Sequence, residues 1–204
     1  MINQTGKSTI RTTIFIFVIG SLIANLLNAQ QVNSYEKLWS KTERLTVADF
    51  QFEVKENTPE SSFAQFSINY SVSGFDFLTK NFNQKVKNIM FKNASWINSN
   101  DKDTIRLIKY QQVLFDLSEL YTRKFRRELL LNKKKIAKGT QIVEDLNNQI
   151  SKELAEKRAE FESDSQGGLK MEILTNWENK ISLKLNELET YNYNNKEKIK
   201  IAKE

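Results

Sequence analysis

Carboxylate, amide and guanidinium side chains follow one another along residues 107–129, LIKYQQVLFDLSELYTRKFRREL. On a helix, Asp116 and Glu119 lie three positions apart, so the two carboxylates are within reach of shared acid–base work without a metal. Glu119 and Arg123 lie four positions apart, the spacing of a surface ion pair that stabilises a helix by about 0.2–0.5 kcal/mol. We favour the ion pair on the helix surface, and the carboxylate pair is the alternative.

The composition excludes most other catalytic chemistry. The chain of 204 residues contains no histidine and no cysteine. Ser/His/Asp catalysis, Cys/His catalysis, thiol chemistry and a disulfide framework are therefore excluded. The sequence also contains no glycine-rich phosphate-binding loop.

An apolar stripe runs along the same predicted helix. Its members are Leu107, Tyr110, Leu114, Leu117, Tyr121, Phe125 and Leu129. Their spacing of three or four residues predicts a helix that buries one face, runs to about residue 138 and ends at Gly139. Tyr110 and Leu114 have the i, i+4 spacing at which a HExxH helix carries two zinc-binding histidines. Gln111 stands where that motif has its glutamate base.

Four short motifs are similar to those of one protein family. YQQVLFDLSELYTR resembles the HEQxHFDIxExxAR motif of a secreted bacterial family of predicted zinc-dependent proteases, largely described as a domain of unknown function. LTVADF resembles its LTWxDF motif, ASWI its SW motif, and FESDSQGG its YDxETxHG motif. The matching residues are Gln112, Phe115, Asp116, Glu119, Tyr121 and Arg123, together with Leu45, Thr46, Asp49, Phe50, Ser95, Trp96 and Trp177. The resemblance covers about residues 45–188 and implies a zincin-like arrangement.

The positions that hold zinc and the general base in this family are all changed. Tyr110 and Leu114 stand at the first two ligand positions, Gln111 at the base position, and Gly167 at the histidine of the last motif. A catalytic zinc site needs about three protein ligands with lone pairs, which leucine and glycine side chains lack. A tyrosine hydroxyl stays protonated near neutral pH, and a glutamine amide is no base there. The resemblance therefore implies an inactive relative without metal or cofactor.

Strand patterns precede helix patterns in the chain. FAQFSINYSV alternates apolar and polar side chains, the period of a half-buried strand, and LTVADFQFEV and VKNIMFKNASWI are shorter strand candidates. After the first helix, two further helices are predicted, separated by Gly167 and Gly168. Their apolar positions are Ile142, Leu146, Ile150 and Leu154 in one, and Met171, Leu174, Trp177, Ile181, Leu185 and Leu188 in the other. We predict an α+β fold, a small N-terminal antiparallel sheet followed by three long helices.

The first residues carry the features of an export signal. Lys7 and Arg11 precede the apolar run IFIFVIGSLIANLLNA, which ends at the small residue Ala29. The run is short for a membrane span of about 20 apolar residues. Residues 1–29 are therefore predicted to be a cleaved signal peptide, with an N-terminal membrane anchor as the alternative. We expect an exported protein, periplasmic or extracellular.

The remaining chain is divided by its composition. Residues 30–42 are predicted to be a polar leader and 191–204 a polar tail. Residues 43–190 are predicted to form a single α+β domain, strand-rich over 43–98 and helical over 102–190.

Basic residues cluster near the end of the first helix, in TRKFRRELLLNKKKIAKG. Two interpretations stay open, solvated cations that favour a helix C-terminus and a contact with an anionic surface. The residues of that contact would be Arg126, Arg127, Lys133, Lys134 and Lys135. Loss of the two cations of the signal peptide would reduce the formal net charge from +6 to +4. This excess is too small to predict nucleic-acid binding.

The expected function is therefore non-catalytic. We expect a secreted or periplasmic relative of a zinc peptidase that binds an unknown protein or envelope component. The alternative is a hydrolase that works without metal or with unorthodox ligands.

Overall fold

The computed structural model describes residues 35–54, 61–98 and 103–199. The predicted signal peptide of residues 1–29 lies outside these ranges, as do the start of the predicted leader and residues 200–204. Within the described ranges, no helix has the length and apolar character needed to cross a membrane.

Three antiparallel strands form one sheet. They are β1 (Glu36–Leu38), β2 (Ser62–Tyr70) and β3 (Val86–Ile97), in the spatial order β1-β3-β2. β3 is the central strand, and its fully buried Met90 pairs with Lys37 of β1 and Phe66 of β2. β2 matches the alternation of FAQFSINYSV, and β3 coincides with VKNIMFKNASWI.

Four α-helices follow the sheet within the described residues. They are α1 (Thr104–Leu131), α2 (Lys133–Ile136), α3 (Gln141–Ser165) and α4 (Met171–Glu187). The predicted α+β fold is confirmed. α1 ends before residue 138, because Asn132 leaves the helical conformation and its side-chain amide donates to the Glu128 carbonyl at 2.9 Å. After α3, Gln166, Gly167 and Gly168 take φ values of 52°, 65° and 88°, which confirms the predicted break between the second and third long helices.

The helix α1 is enclosed by the elements around it. The predicted apolar stripe is buried except at Tyr110, which is half-buried. Every residue from Gln111 to Arg123 is buried, including the polar ones. α1 contacts β2, β3, α3 and α4. A helix enclosed in this way must satisfy its polar side chains inside the protein.

Two segments before β2 differ from the sequence predictions. Part of the predicted leader forms β1, and Trp39 next to it is only 6% exposed. A strand of three residues is too short for alternation to reveal it. LTVADFQFEV forms no strand, although every one of its residues is described. Val47–Asp49 is a 3₁₀ turn instead, and the Asp49 carboxylate accepts the Thr46 backbone N–H at 2.8 Å, a bond that competes with strand pairing.

The fold also extends beyond the predicted domain end at residue 190. The side-chain amide of Asn83 donates to the carbonyls of Asn192 and Asn195 at 3.0 and 3.2 Å. Tyr191 and Ile199 pack against the hydrophobic core. The first part of the predicted polar tail is therefore bound to the rest of the chain.

Candidate functional site

Tyr110, at the first zinc-ligand position of the resemblance, is packed as an aromatic residue. Its ring stacks on Phe161 with centroids 5.3 Å apart. A Cβ added to Gly168 would lie 2.6 Å from the Tyr110 ring, so the glycine is required for this contact. Burial, with a smaller contribution from Glu162, raises the pKa of Tyr110 to about 12. The phenol is therefore neutral at physiological pH and is a poor metal ligand.

The other two positions on the helix are also occupied by packed side chains. Leu114 is 3% exposed and belongs to the hydrophobic core. It lines a cavity of about 300 Å³ between β2 and α3, together with Phe66 and Ser151. Gln111 is 3% exposed, and its amide donates to the Ser62 hydroxyl at 3.0 Å. A buried amide held in this way cannot take a proton from water at neutral pH.

The loop after α3 lies against the Tyr110 side of α1. The Arg106 guanidinium donates to the Gly168 carbonyl at 2.8 Å, and Gly168 lies against Tyr110. Gly167 stands at the position of the third ligand, and no atom lies within 4 Å of a Cβ built on it. The loop therefore contacts α1 through Gly168, whereas a Cβ at position 167 would meet no other atom.

These residues do not fit a zinc ion. A phenol, an amide, a leucine and a glycine offer no set of three anionic or imidazole ligands. Within the described parts of the chain, no group of three or more His, Cys, Asp or Glu side chains is arranged to hold a metal ion.

Asp116 matches the family motif and is the centre of a buried polar cluster. Its carboxylate accepts the Trp39 indole N–H at 2.7 Å, two N–H groups of Arg44 at 2.9 and 2.8 Å, and the Gln112 amide at 3.0 Å. Arg44 also pairs with Glu178 at 3.2 Å. Burial raises the pKa of Asp116 above its ordinary value, although Arg44, Trp39 and Gln112 all favour the ionised form. The cluster joins the segment before β2 to α1 and α4.

Glu119 is the centre of a second buried cluster. It accepts Arg123 Nε at 3.1 Å and Arg126 Nη1 at 3.0 Å, and all three side chains are at most 1% exposed. Arg126 also donates to the carbonyls of Val86 and Tyr191. Burial lowers the pKa of Arg126 from its ordinary value. The predicted pair of Glu119 with Arg123 forms, but its predicted place on the helix surface is wrong.

The two carboxylates bind different partners. Asp116 is held by Arg44, and Glu119 by Arg123 and Arg126. Both carboxylates therefore accept hydrogen bonds from arginines, a partly exposed Arg44 for Asp116 and buried ones for Glu119, and neither is arranged as the free acid or base of a metal-independent pair. Periodicity did not identify Arg44 as a partner, because it lies 72 residues before Asp116.

The basic cluster divides into exposed and buried members. Arg127 and Lys133, Lys134 and Lys135 are exposed. Arg126 is fully buried, so its predicted role in an anionic-surface contact is wrong. Its guanidinium faces backbone carbonyls and Glu119, where no surface ligand reaches it.

Comparison with protein-family models, curated proteins and solved structures gives no match. The resemblance to the zinc-protease family stays a prediction from the sequence.

Proposed function

We propose that this protein is a non-catalytic binding protein, a relative of the secreted zinc-protease family in which packed side chains replace the metal site. The observation that carries the proposal is the packing of Tyr110, Gln111 and Leu114. Tyr110 stacks on Phe161, Gln111 binds the Ser62 hydroxyl, and Leu114 belongs to the core.

The preserved motif residues support the same proposal. Asp116, Glu119 and Arg123 are held in buried clusters that connect α1 to distant segments. Removal of one member of a buried ion pair costs about 3–5 kcal/mol. These residues are therefore explained by the stability of the fold without any catalytic role.

We propose that the binding partner is a protein or another component of the cell envelope. The support is the sequence of residues 1–29, which has the basic start, short apolar run and small final residue of an export signal. A membrane anchor at the same residues is the alternative, and we propose that the described fold lies outside the cytoplasm in either case.

Metal analysis of the purified protein tests the loss of the site. We expect no zinc to co-purify, and no chelator-sensitive peptidase activity. The comparison variant combines Tyr110→His, Gln111→Glu, Leu114→His and Gly167→His, and we expect it to bind zinc more tightly than the natural chain. One tightly bound zinc ion per natural chain, or hydrolysis that a chelator abolishes, would refute the proposal.

A second candidate function is contact with an anionic membrane surface. Arg127 and the three lysines of α2 are exposed and form no ion pair among the described residues. Leu131, between them in the chain, is 48% exposed. Clustered cations gain about 1 kcal/mol each near an anionic bilayer, and salt screens this attraction.

Sedimentation with vesicles of phosphatidylcholine, with and without phosphatidylserine, tests this candidate. We expect salt-sensitive binding that requires phosphatidylserine and is lost when Lys133, Lys134 and Lys135 are changed to Gln. The control changes three dispersed exposed lysines, Lys152, Lys170 and Lys180, to Gln. Equal loss in both variants would show that net charge alone is responsible.

A further inference from the structure

A turn with two exposed apolar side chains lies between β2 and β3. Phe75 is 81% exposed and Leu78 is 69% exposed, whereas Asp76 and Phe77 between them are buried. The Leu78 backbone N–H donates to the Phe75 carbonyl at 3.0 Å, which closes one 3₁₀ turn. Side chains three positions apart in such a turn lie on the same side. The turn therefore presents two large apolar side chains to solvent at its tip.

The residues on the inner side of the turn hold it in this conformation. The Asp76 carboxylate accepts the Ser73 backbone N–H at 2.6 Å and the Ser73 hydroxyl at 2.9 Å. The same carboxylate pairs with Lys85 at 2.8 Å. Phe77 stacks on Phe82 with ring centroids 4.9 Å apart. Because the inner residues are fixed by these contacts, the two exposed side chains have a defined position on the surface.

The basic cluster lies beside this turn. A Cβ built on Gly74 would lie 3.3 Å from the Cα of Ala137, the residue that directly follows α2. The exposed lysines of α2 lie within about one helical turn of Ala137, which is 5.4 Å along the axis. Leu131, just before α2, is 48% exposed. Exposed apolar side chains and clustered cations therefore meet on one part of the surface.

The charge of this surface is positive. Segments 73–85 and 127–145 contain seven cations and four carboxylates, and the buried Asp76 is one of the four. The cations are Lys80, Lys85, Arg127, Lys133, Lys134, Lys135 and Lys138, and the carboxylates are Asp76, Glu128, Glu144 and Asp145. An acidic soluble partner would match the cations and leave the apolar tip in water. An anionic bilayer matches both, since it takes up apolar side chains below its charged headgroups.

We propose that Phe75 and Leu78 insert into the headgroup and acyl boundary of an anionic bilayer while the lysines of α2 contact the headgroups. This inference rests on the second candidate function, contact with an anionic membrane surface, and identifies the apolar part of that contact. Stable attachment to a membrane generally needs two signals, an apolar group and a basic patch. The turn supplies the first signal, and α2 supplies the second.

Sedimentation with vesicles that contain phosphatidylserine tests the role of the apolar tip. The combined variant Phe75→Ser, Leu78→Ser should bind these vesicles at least about tenfold more weakly than the natural chain. The control Ile105→Ser, Leu183→Ser removes two apolar side chains that are 82% and 66% exposed on α1 and α4, and its binding should be unchanged. All four positions are exposed, so both variants should keep the unfolding midpoint of the natural chain.

A fluorescent label tests insertion directly. The chain contains no cysteine, so Leu78→Cys provides one site for a nitrobenzoxadiazole label, and Ile105→Cys provides the control. Ile105 lies in the first turn of α1, about 40 Å along the helix from Leu131. We expect the emission of the label at position 78 to rise and move to shorter wavelength with phosphatidylserine vesicles. The label at position 105 should not respond.

The outcomes separate this inference from the candidate function on which it rests. If the natural chain binds the vesicles but the label at position 78 does not respond, this inference is refused and the contact by the lysines stands. Equal weakening by the two serine variants also refutes it. If the natural chain does not sediment with phosphatidylserine vesicles, both the candidate function and this inference are refuted.

Discussion

The buried cluster around Glu119 gives the sharpest prediction about stability. Glu119→Gln keeps the shape of the side chain and removes its negative charge. The two arginines that Glu119 binds are both fully buried. Arg123 keeps a second carboxylate partner, Glu189, which is 55% exposed, whereas Arg126 is left with backbone carbonyls. The variant therefore leaves buried positive charge without full compensation.

The size of the effect follows from this geometry. Breaking a buried ion pair by removing one partner costs about 3–5 kcal/mol. The amide oxygen of Gln still accepts one hydrogen bond, so we expect the lower end, about 3 kcal/mol. With a urea m-value of about 2 kcal/mol/M, the unfolding midpoint should fall by about 1.5 M. The m-value itself should not change, because the surface buried on folding is the same.

Urea unfolding followed by far-UV circular dichroism measures this change. The control is Glu160→Gln, which breaks an ion pair with Lys157 in which both side chains are more than a third exposed. Exposed pairs contribute about 0.2–1 kcal/mol, so the control should shift the midpoint much less. If Glu119→Gln shifts the midpoint no more than Glu160→Gln, the buried cluster does not stabilise the fold as we describe.

Two further predictions concern a glycine and an acidic side chain. Gly168→Ala should destabilise the protein by more than about 2 kcal/mol, because the new methyl group would combine a φ of 88° with a 2.6 Å contact to Tyr110. The control Gly167→Ala, at a φ of 65° with open space around it, should cost about 1–2 kcal/mol from the backbone alone. Equal thermal-unfolding midpoints of the two variants would contradict the close packing of Gly168 against Tyr110. Burial raises the pKa of Asp76, but Lys85 and the backbone and hydroxyl of Ser73 together lower it by more, so the pKa lies below 3.8. The carboxylate therefore stabilises the folded state above pH 3.8, and this contribution is lost as the pH falls through the lowered pKa. Asp76→Asn should therefore lower the unfolding midpoint at pH 7 and have little effect at the lowest pH, and a difference that grows on acidification would refute the assignment.

The parts of the fold that depend on local patterns could be predicted from the sequence. The alternation in FAQFSINYSV located β2, and Gly167 and Gly168 located the break between α3 and α4. Side-chain alternation and positive φ are properties of neighbouring residues, so a single sequence contains the information.

The parts that depend on distant partners could not be predicted. Glu119 and Arg123 have the spacing of a surface pair, and nothing local shows that Arg126 binds the first and that Leu185 and Glu189 bind the second. Trp39 lies in the predicted polar leader and Arg44 in the predicted strand-rich part of the domain, yet both bind Asp116 more than 70 residues later. For the candidate site, the resemblance directed attention to positions 110, 111 and 114, and only the structure shows what packs against them.

The contacts of residues 190–195 have a consequence for the synthesis of the chain. Asn83 and Arg126 donate to carbonyls of this segment, which leaves the ribosome long after the sheet and α1. Until it emerges, these donors must stay in water, because burying them without acceptors is costly. The bonds of Asn83 and Arg126 to this segment can therefore form only after residues 190–195 have been synthesised, and in a shorter nascent chain water must take the place of those carbonyls.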